Sequence, residues 1–147
     1  SHSSAFITEL ADDVTPTLGG NLNADNKQIS SVEMKNYCET VVTATGVSGT
    51  YNMDLAAGTI FNLTLADNTV LGKTNAIGGS NRAITITVMV TQPAVGGKTL
   101  SWNIGTIKWE FSSIASGDVT GNATTIWTLM SVDGGTAWYG FLCGIYK

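Results

Sequence analysis

Charge is scarce in this sequence: 12% of its 147 residues are Asp, Glu, Lys or Arg, and only seven are basic. So few bases cannot build the positive stripe that a phosphate backbone demands, which argues against nucleic-acid binding. Proline occurs only as Pro16 and Pro93, so polyproline segments are ruled out. No apolar run approaches the ~20 residues of a membrane-spanning helix, and membrane insertion is not expected. The one histidine, His2, stands in Ser1-His2-Ser3-Ser4, which reads as the remnant of a cleaved tag over residues 1–4. Without it no imidazole is left to activate a serine. Cysteine is also rare, with Cys38 and Cys143 alone. One pair is no disulfide framework, and the apolar alternation of Trp138–Ile145 favours Cys143 as a free, buried, small core residue over a disulfide partner.

What is abundant points to strands. There are 17 glycines for tight turns and 21 threonines, most of them alternating with Val, Ile or Leu. Hydrophobic residues make up 43%, enough for one domain with a core of its own. Candidate strands are Thr40–Thr45, Thr50–Leu55, Thr59–Leu65, Thr69–Gly72, Ala83–Gln92, Thr99–Asn103, Thr106–Phe111, Thr124–Val132 and Ala137–Ile145. In the fifth, Ile84, Ile86, Val88 and Val90 share one face and Thr85, Thr87 and Thr91 the other. Asp133-Gly134-Gly135 between two apolar runs signals a hairpin, and Gly78-Gly79 and Gly96-Gly97 punctuate similarly. Short strands at this spacing predict an all-β fold, a jelly-roll-like β-sandwich over residues 40–147. Long segments of helical period are lacking, and a short helix over Ala5–Ala11 is the one exception expected.

The charges divide the chain. Residues 1–40 carry six acids (Glu9, Asp12, Asp13, Asp25, Glu33, Glu39) against Lys27 and Lys35, while the remainder holds five acids and five bases. Residues 5–39 therefore read as an extended N-terminal segment, polar and too poor in apolar groups to fold alone. Its scattered Val14, Leu18, Leu22, Ile29 and Val32 make sense packed against their counterparts in neighbouring chains.

Asp12–Ile29, "DDVTPTLGGNLNADNKQI", resembles the T-P-x-L-G-G-N-L segment that recurs in phage tail-fibre and related virion appendage proteins. The body, with "FNLTLADNTVL", "ITITVMVTQPAVGGKTLSWN" and "SVDGGTAWYGFL", looks like the small distal β-sandwich domain of such proteins. The resemblance implies a homotrimeric fibre tip or knob, contacts with other virion proteins, and adhesion to a host-surface glycan. It implies location on the virion, as a tail or head appendage, after assembly in the host cytoplasm. A capsid decoration or head fibre without receptor binding is the alternative, and a glycan-degrading tailspike fragment stands third.

Candidate chemistry is thin. Gly72-Lys73-Thr74 and Gly97-Lys98-Thr99 echo the end of a phosphate loop, but Asp67 and Gln92 occupy the places where its first glycine belongs. Asn21, Asn23, Asp25 and Asn26 offer alternating oxygens, yet a calcium loop would need Gly and Glu where Asn26 and Val32 stand. No cofactor or metal is therefore expected. Glycoside hydrolysis needs two facing carboxylates. The body offers Asp54, Asp67, Glu110, Asp118 and Asp133, of which Asp54 and Glu110 lie at strand ends. A non-enzymatic role is expected. The rings are plentiful: Trp102, Trp109, Trp127, Trp138, Tyr51, Tyr139 and Tyr146. Most should fill the core or a subunit interface. Trp127, Trp138 and Tyr139 are the candidates for stacking on a sugar.

Overall fold

Period-two alternation carries through into strands almost wherever it occurs. The computed structural model describes Gly19, residues 28–110 and residues 115–147. Seven strands follow in order: β1 Val41–Asp54, β2 Ile60–Thr74, β3 Ile84–Thr91, β4 Leu100–Asn103, β5 Thr106–Trp109, β6 Thr124–Ser131 and β7 Ala137–Tyr146. The described residues contain no helix. All seven strands join one mixed sheet, ordered β1-β2-β3-β6-β7-β5, with β4 laid on the second half of β2. The chain divides into units of residues 1–37 and 38–147, and every strand belongs to the second. The helix expected over Ala5–Ala11, the oxygen-rich Asn21–Asn26 and most of the glycine-rich N-terminal motif lie outside the described residues.

Nine expected strands become seven because two pairs run together. Thr40–Thr45 merges with Thr50–Leu55 into β1, and Thr59–Leu65 with Thr69–Gly72 into β2. The join has a geometric consequence. β1 and β2 pair in parallel along their whole lengths, from Val41↔Ile60 to Asp54↔Thr74. Only Leu55–Thr59 connect them, and that link spans at most about 22 Å. A straight strand of 14 residues would be about 45 Å long. β1 must therefore bend back on itself, and β2 bends with it. Parallel neighbours ordinarily need a crossover of a dozen residues or more, but here the second half of each strand serves as the return.

The bends stack. In β1 the ladder slips twice between Ala44 and Gly49, where Gly46 and Gly49 take positive φ values of 70° and 61°. β2 turns at the exposed Ala66–Asn68. The third layer breaks outright: β3 pairs with the first half of β2, β4 with the second, and residues 92–99 round the corner between them. Polar groups tie the corner together. Thr69 Oγ1 donates to the carbonyl oxygens of Asp67 and Val47, and Thr99 N donates to Asn68 Oδ1. The buried Gln92 amide closes the last turn, donating to Lys98 O at 2.8 Å and accepting from Lys98 N at 3.1 Å. Gln92→Ala strands both of those backbone groups and should cost about 2 kcal/mol, read as a lowered urea midpoint at unchanged slope. An unchanged midpoint would show that the corner does not depend on them.

One hydrophobic cluster fills the inside. Phe61, Leu63 and Leu65 from the first arm of β2 and Leu71 from the second belong to it, with Met53, Ile86, Val88, Leu129 and Trp138. The sheet is curled around a single core. β6 and β7 form the expected hairpin around Asp133-Gly134-Gly135, antiparallel from Met130↔Tyr139 onward. Asp133 Oδ1 accepts from Thr136 N, Ala137 N and Ser131 Oγ, so the aspartate organises the turn.

Several side chains lie elsewhere than expected. Cys143 is exposed, as is Cys38, and both are free. Trp138 takes the inward phase of β7, so odd-numbered Cys143 falls on the outward one, where its thiol meets Thr128 Oγ1 at 3.2 Å. Trp127, a candidate for stacking on a sugar, is 1% exposed because β6 turns Thr125, Trp127 and Leu129 inward. Of the trimer-axis candidates, Ile29 and Val32 are exposed on the single chain, and Val14, Leu18 and Leu22 lie outside the described residues.

Candidate functional site

Strands β4 and β5 build an opening among the described residues. They are four residues each, joined by Ile104 and Gly105. Leu100 and Ile104 are buried and pin the pair to the core. Gly105 turns the chain at φ 118°, a backbone region that costs glycine little. Beneath the turn, the buried Trp138 indole donates to Ile104 O at 3.2 Å and to Gly135 O at 3.1 Å. This holds the β4–β5 turn and the β6–β7 turn to one ring.

On this support stand two half-buried tryptophans. Trp102 and Trp109 face each other with ring centroids 5.4 Å apart and planes tilted by 59°. Trp102 rests edge-on against Trp127 at 5.3 Å and donates from Nε1 to Ala115 O. The three indoles thus run from the core to the surface, and the buried one fixes the angle of the next. Trp109 is seated differently. It pairs with Gly140 across the parallel β5–β7 ladder, and a Cβ at Gly140 would strike its six-membered ring. Only glycine lets the indole lie flat on β7.

The opening is a shallow cleft of about 410 Å³, lined by Leu100, Ser101, Trp102, Gly105, Ile107, Trp109, Ala115 and Ser116. None of these side chains ionises. Alternation explains why: Ile107 and Trp109 share one face of β5 while Thr106 and Lys108 take the other, exposed one. The cleft therefore offers indole faces, aliphatic walls and two serine hydroxyls. Such a surface suits a neutral ligand with an apolar face and hydroxyl edges. Among the described lining residues no acid or base stands beside the two serine hydroxyls.

Four of the body's five carboxylates, Asp54, Asp67, Asp118 and Asp133, are engaged by hydrogen bonds or an ion pair. Asp54 accepts from Asn75 Nδ2 at 2.7 Å and from Ala56 N, which lowers its pKa. Asp67 is lowered by the Asn68 amide and by Lys98, and Asp133 by the Ala137 amide and the Ser131 hydroxyl. Asp118 falls to about 2, through bonds from Thr120 and the Lys147 ammonium 3.0 Å away. A glycosidase acid needs a shift in the opposite direction. Asp54 and Glu110, the strand-end pair, sit by β1 and β5, the two ends of the sheet order. The lowered values predict acid sensitivity. A depressed carboxylate contributes stability above its unfolded pKa and loses it as pH falls through the folded one. Stability should thus be level above about pH 5 and decline from about pH 4 towards pH 2. Melting temperatures measured across that range check this, and a flat profile down to pH 2 would contradict it.

Of the three rings singled out as sugar contacts, Trp127 and Trp138 are core residues at 1% and 0% exposure and present no face to a ligand. Tyr139 is exposed on the outer side of β7, with Lys108 Nζ 5.5 Å from its ring centre. The cleft rings are instead Trp102 and Trp109. In the sequence only Trp109 stands in an alternation, Ile107-Lys108-Trp109-Glu110, and that run is too short to fix which side of the strand the ring takes. No protein-family model, curated protein or solved structure gives a significant match to this chain.

Proposed function

We propose that this chain is a non-enzymatic phage virion protein, the homotrimeric tip or knob of a tail fibre, which adheres to a neutral host-surface glycan. The observation that carries the reading is the cleft, where two half-exposed indoles 5.4 Å apart meet serine hydroxyls and no ionisable side chain. Sugar rings stack on indoles through their apolar C–H faces while hydroxyls bond at the rim, and neither contact needs charge. The resemblance of Asp12–Ile29 to fibre segments supplies the virion context and the threefold assembly, with the N-terminal segments packed along the axis. In architecture we read the body as a β-sandwich whose two layers are arms of one folded sheet. Its parallel pairs favour a wound ribbon over a strict jelly roll, in which neighbours run antiparallel.

Binding to susceptible host cells and to their purified surface polysaccharide tests this. Trp109→Ala should weaken binding about thirtyfold, as expected for loss of an aromatic hot spot worth about 2 kcal/mol, with little salt dependence. Unchanged binding by that variant would remove the cleft from the proposal. Binding to capsids but not to cells would favour a decoration or head fibre, and release of reducing sugar would favour a tailspike.

A further inference from the structure

We infer that Asp118, which does not line the tryptophan cleft, is a positioning residue for it. Asp118 holds the cleft wall made by Ala115 and Ser116, and through that wall the tilt of Trp102, in the geometry that binds. The inference rests on the glycan-binding reading above and adds to it a residue that shapes the site from behind.

The wall is the part of the cleft that needs holding. Trp102, Ile107 and Trp109 stand on β4 and β5, whose ladders fix them, whereas Ala115 and Ser116 lie in a turn outside the described strands. Wall and rings meet through Trp102 Nε1, which donates to Ala115 O at 2.6 Å. An indole has a single N–H, so the ring must follow the wall or lose this bond.

The anchors lie just beyond the wall. Gly117, at φ 70°, is laid on the buried Trp127 indole so closely that a Cβ would stand 2.8 Å from the ring. Asp118 N donates to the buried Thr125 Oγ1 at 3.0 Å, which ties the turn to β6. The Asp118 carboxylate then works in two directions. One oxygen accepts from Thr120 N at 2.7 Å, closing an Asx turn, and the other takes the Lys147 ammonium at 3.0 Å. The turn so shaped presents Val119 O to Gly97 N at 2.7 Å. The Asp118 side chain is 15% exposed and that of Lys147 65%, so the carboxylate is the inner partner and the exposed lysine adds little. Trp109 has its seat on Gly140 instead. Loss of the Asp118 carboxylate should therefore unsettle Trp102 and the Ser116 hydroxyl and leave Trp109 in place.

Two readouts on the full-length chain test this: hydrogen exchange of the Trp102 indole N–H by nuclear magnetic resonance, and affinity for surface polysaccharide purified from susceptible cells. Asp118→Ala should speed the Trp102 exchange at least about tenfold and weaken binding about tenfold, as a site loosened from behind does. Asp118→Asn keeps an acceptor for Thr120 N and should restore both to within about threefold of the parent, and Lys147→Met should cost no more than that. Thr125→Val frees Asp118 N at little change in volume, should act in the same direction as Asp118→Ala, and decides the matter if that variant does not fold. Asp54→Ala is the control: its carboxylate also closes a turn, with Ala56 and Asn75, neither of which lines the cleft, and it should change neither readout. Parent-like Trp102 exchange in Asp118→Ala and Thr125→Val overturns the inference, and so does an equal loss of affinity in Asp54→Ala. A parent chain that binds no polysaccharide overturns the glycan reading alone, and the Trp102 exchange still decides whether Asp118 holds the wall.

Discussion

Trp138→Ala should lower the stability of the body by about 4 kcal/mol, the largest single loss expected in this chain. The ring is wholly buried in the central cluster, so its removal opens a cavity that the curled sheet cannot collapse to fill. Its Nε1 also serves two carbonyls, Ile104 O and Gly135 O, which belong to separate turns. Both lose their partner with the ring. For a unit of this size the melting temperature should fall by about 15 °C. Trp138→Phe separates the contributions, because it keeps most of the volume and removes only the donor. It should cost about 2 kcal/mol. Equal losses in the two variants would assign the effect to the hydrogen bonds alone. An alanine variant within about 1 kcal/mol of the parent would mean that the core does not depend on this ring.

Gly134→Ala should cost about 3 kcal/mol, from two causes that add. Gly134 has φ 72°, where a side chain is strained, and its added Cβ would run into the backbone of Gly78. The close approach is held by two hydrogen bonds, Gly78 N to Gly134 O at 2.9 Å and Gly134 N to Arg82 O at 2.8 Å. The β6–β7 turn therefore cannot shift without releasing the β2–β3 loop. Gly97→Ala is the matched control. It shares a positive φ, 73°, but its Cβ would meet open space. Only the backbone cost of about 1 kcal/mol should remain there. Chemical denaturation of both variants checks the difference, and equal losses would show that the contact with Gly78 can relax.

The sequence disclosed the strands far better than their connections. Alternation in Ile84–Val90 set the inward residues of β3 but did not place Trp127 on the inward face of β6, and the predicted limits of β3, β6 and β7 differ from the observed ones by a residue at most. Gly46, Gly49 and Asp67-Asn68 stand in the gaps between the expected strands, and there the two long strands bend. What the residues cannot specify is whether a ladder ends at a turn or bends through it. Glycine and Asx residues provide the same backbone freedom in either case. The parallel pairing of β1 with β2 follows from that choice, and so it was not legible. The site was hidden for a related reason. Trp102 and Trp109 lie on strands of four residues, too short for a period to reveal a phase. Their exposure depends on Gly140, thirty-one positions away from Trp109 in the chain, which makes room for the ring.

The stacked, bent ribbon also governs how the chain reaches its folded state. Val41 meets Ile60, Ile60 meets Thr87 and Thr69 meets Leu100, so partners in the stack are separated by whole layers of chain. Each layer must close a long loop before it gains any contact, which places folding in the slow range of milliseconds to seconds. The β6–β7 hairpin is the exception. It closes locally from Met130 to Tyr139 and can form within about 10 μs. The hairpin is thus the natural nucleus, with β3 adding to β6 and the N-terminal layers docking last. Substitutions at Gly134 should then act mainly by slowing folding, and those at the Gln92 corner by speeding unfolding.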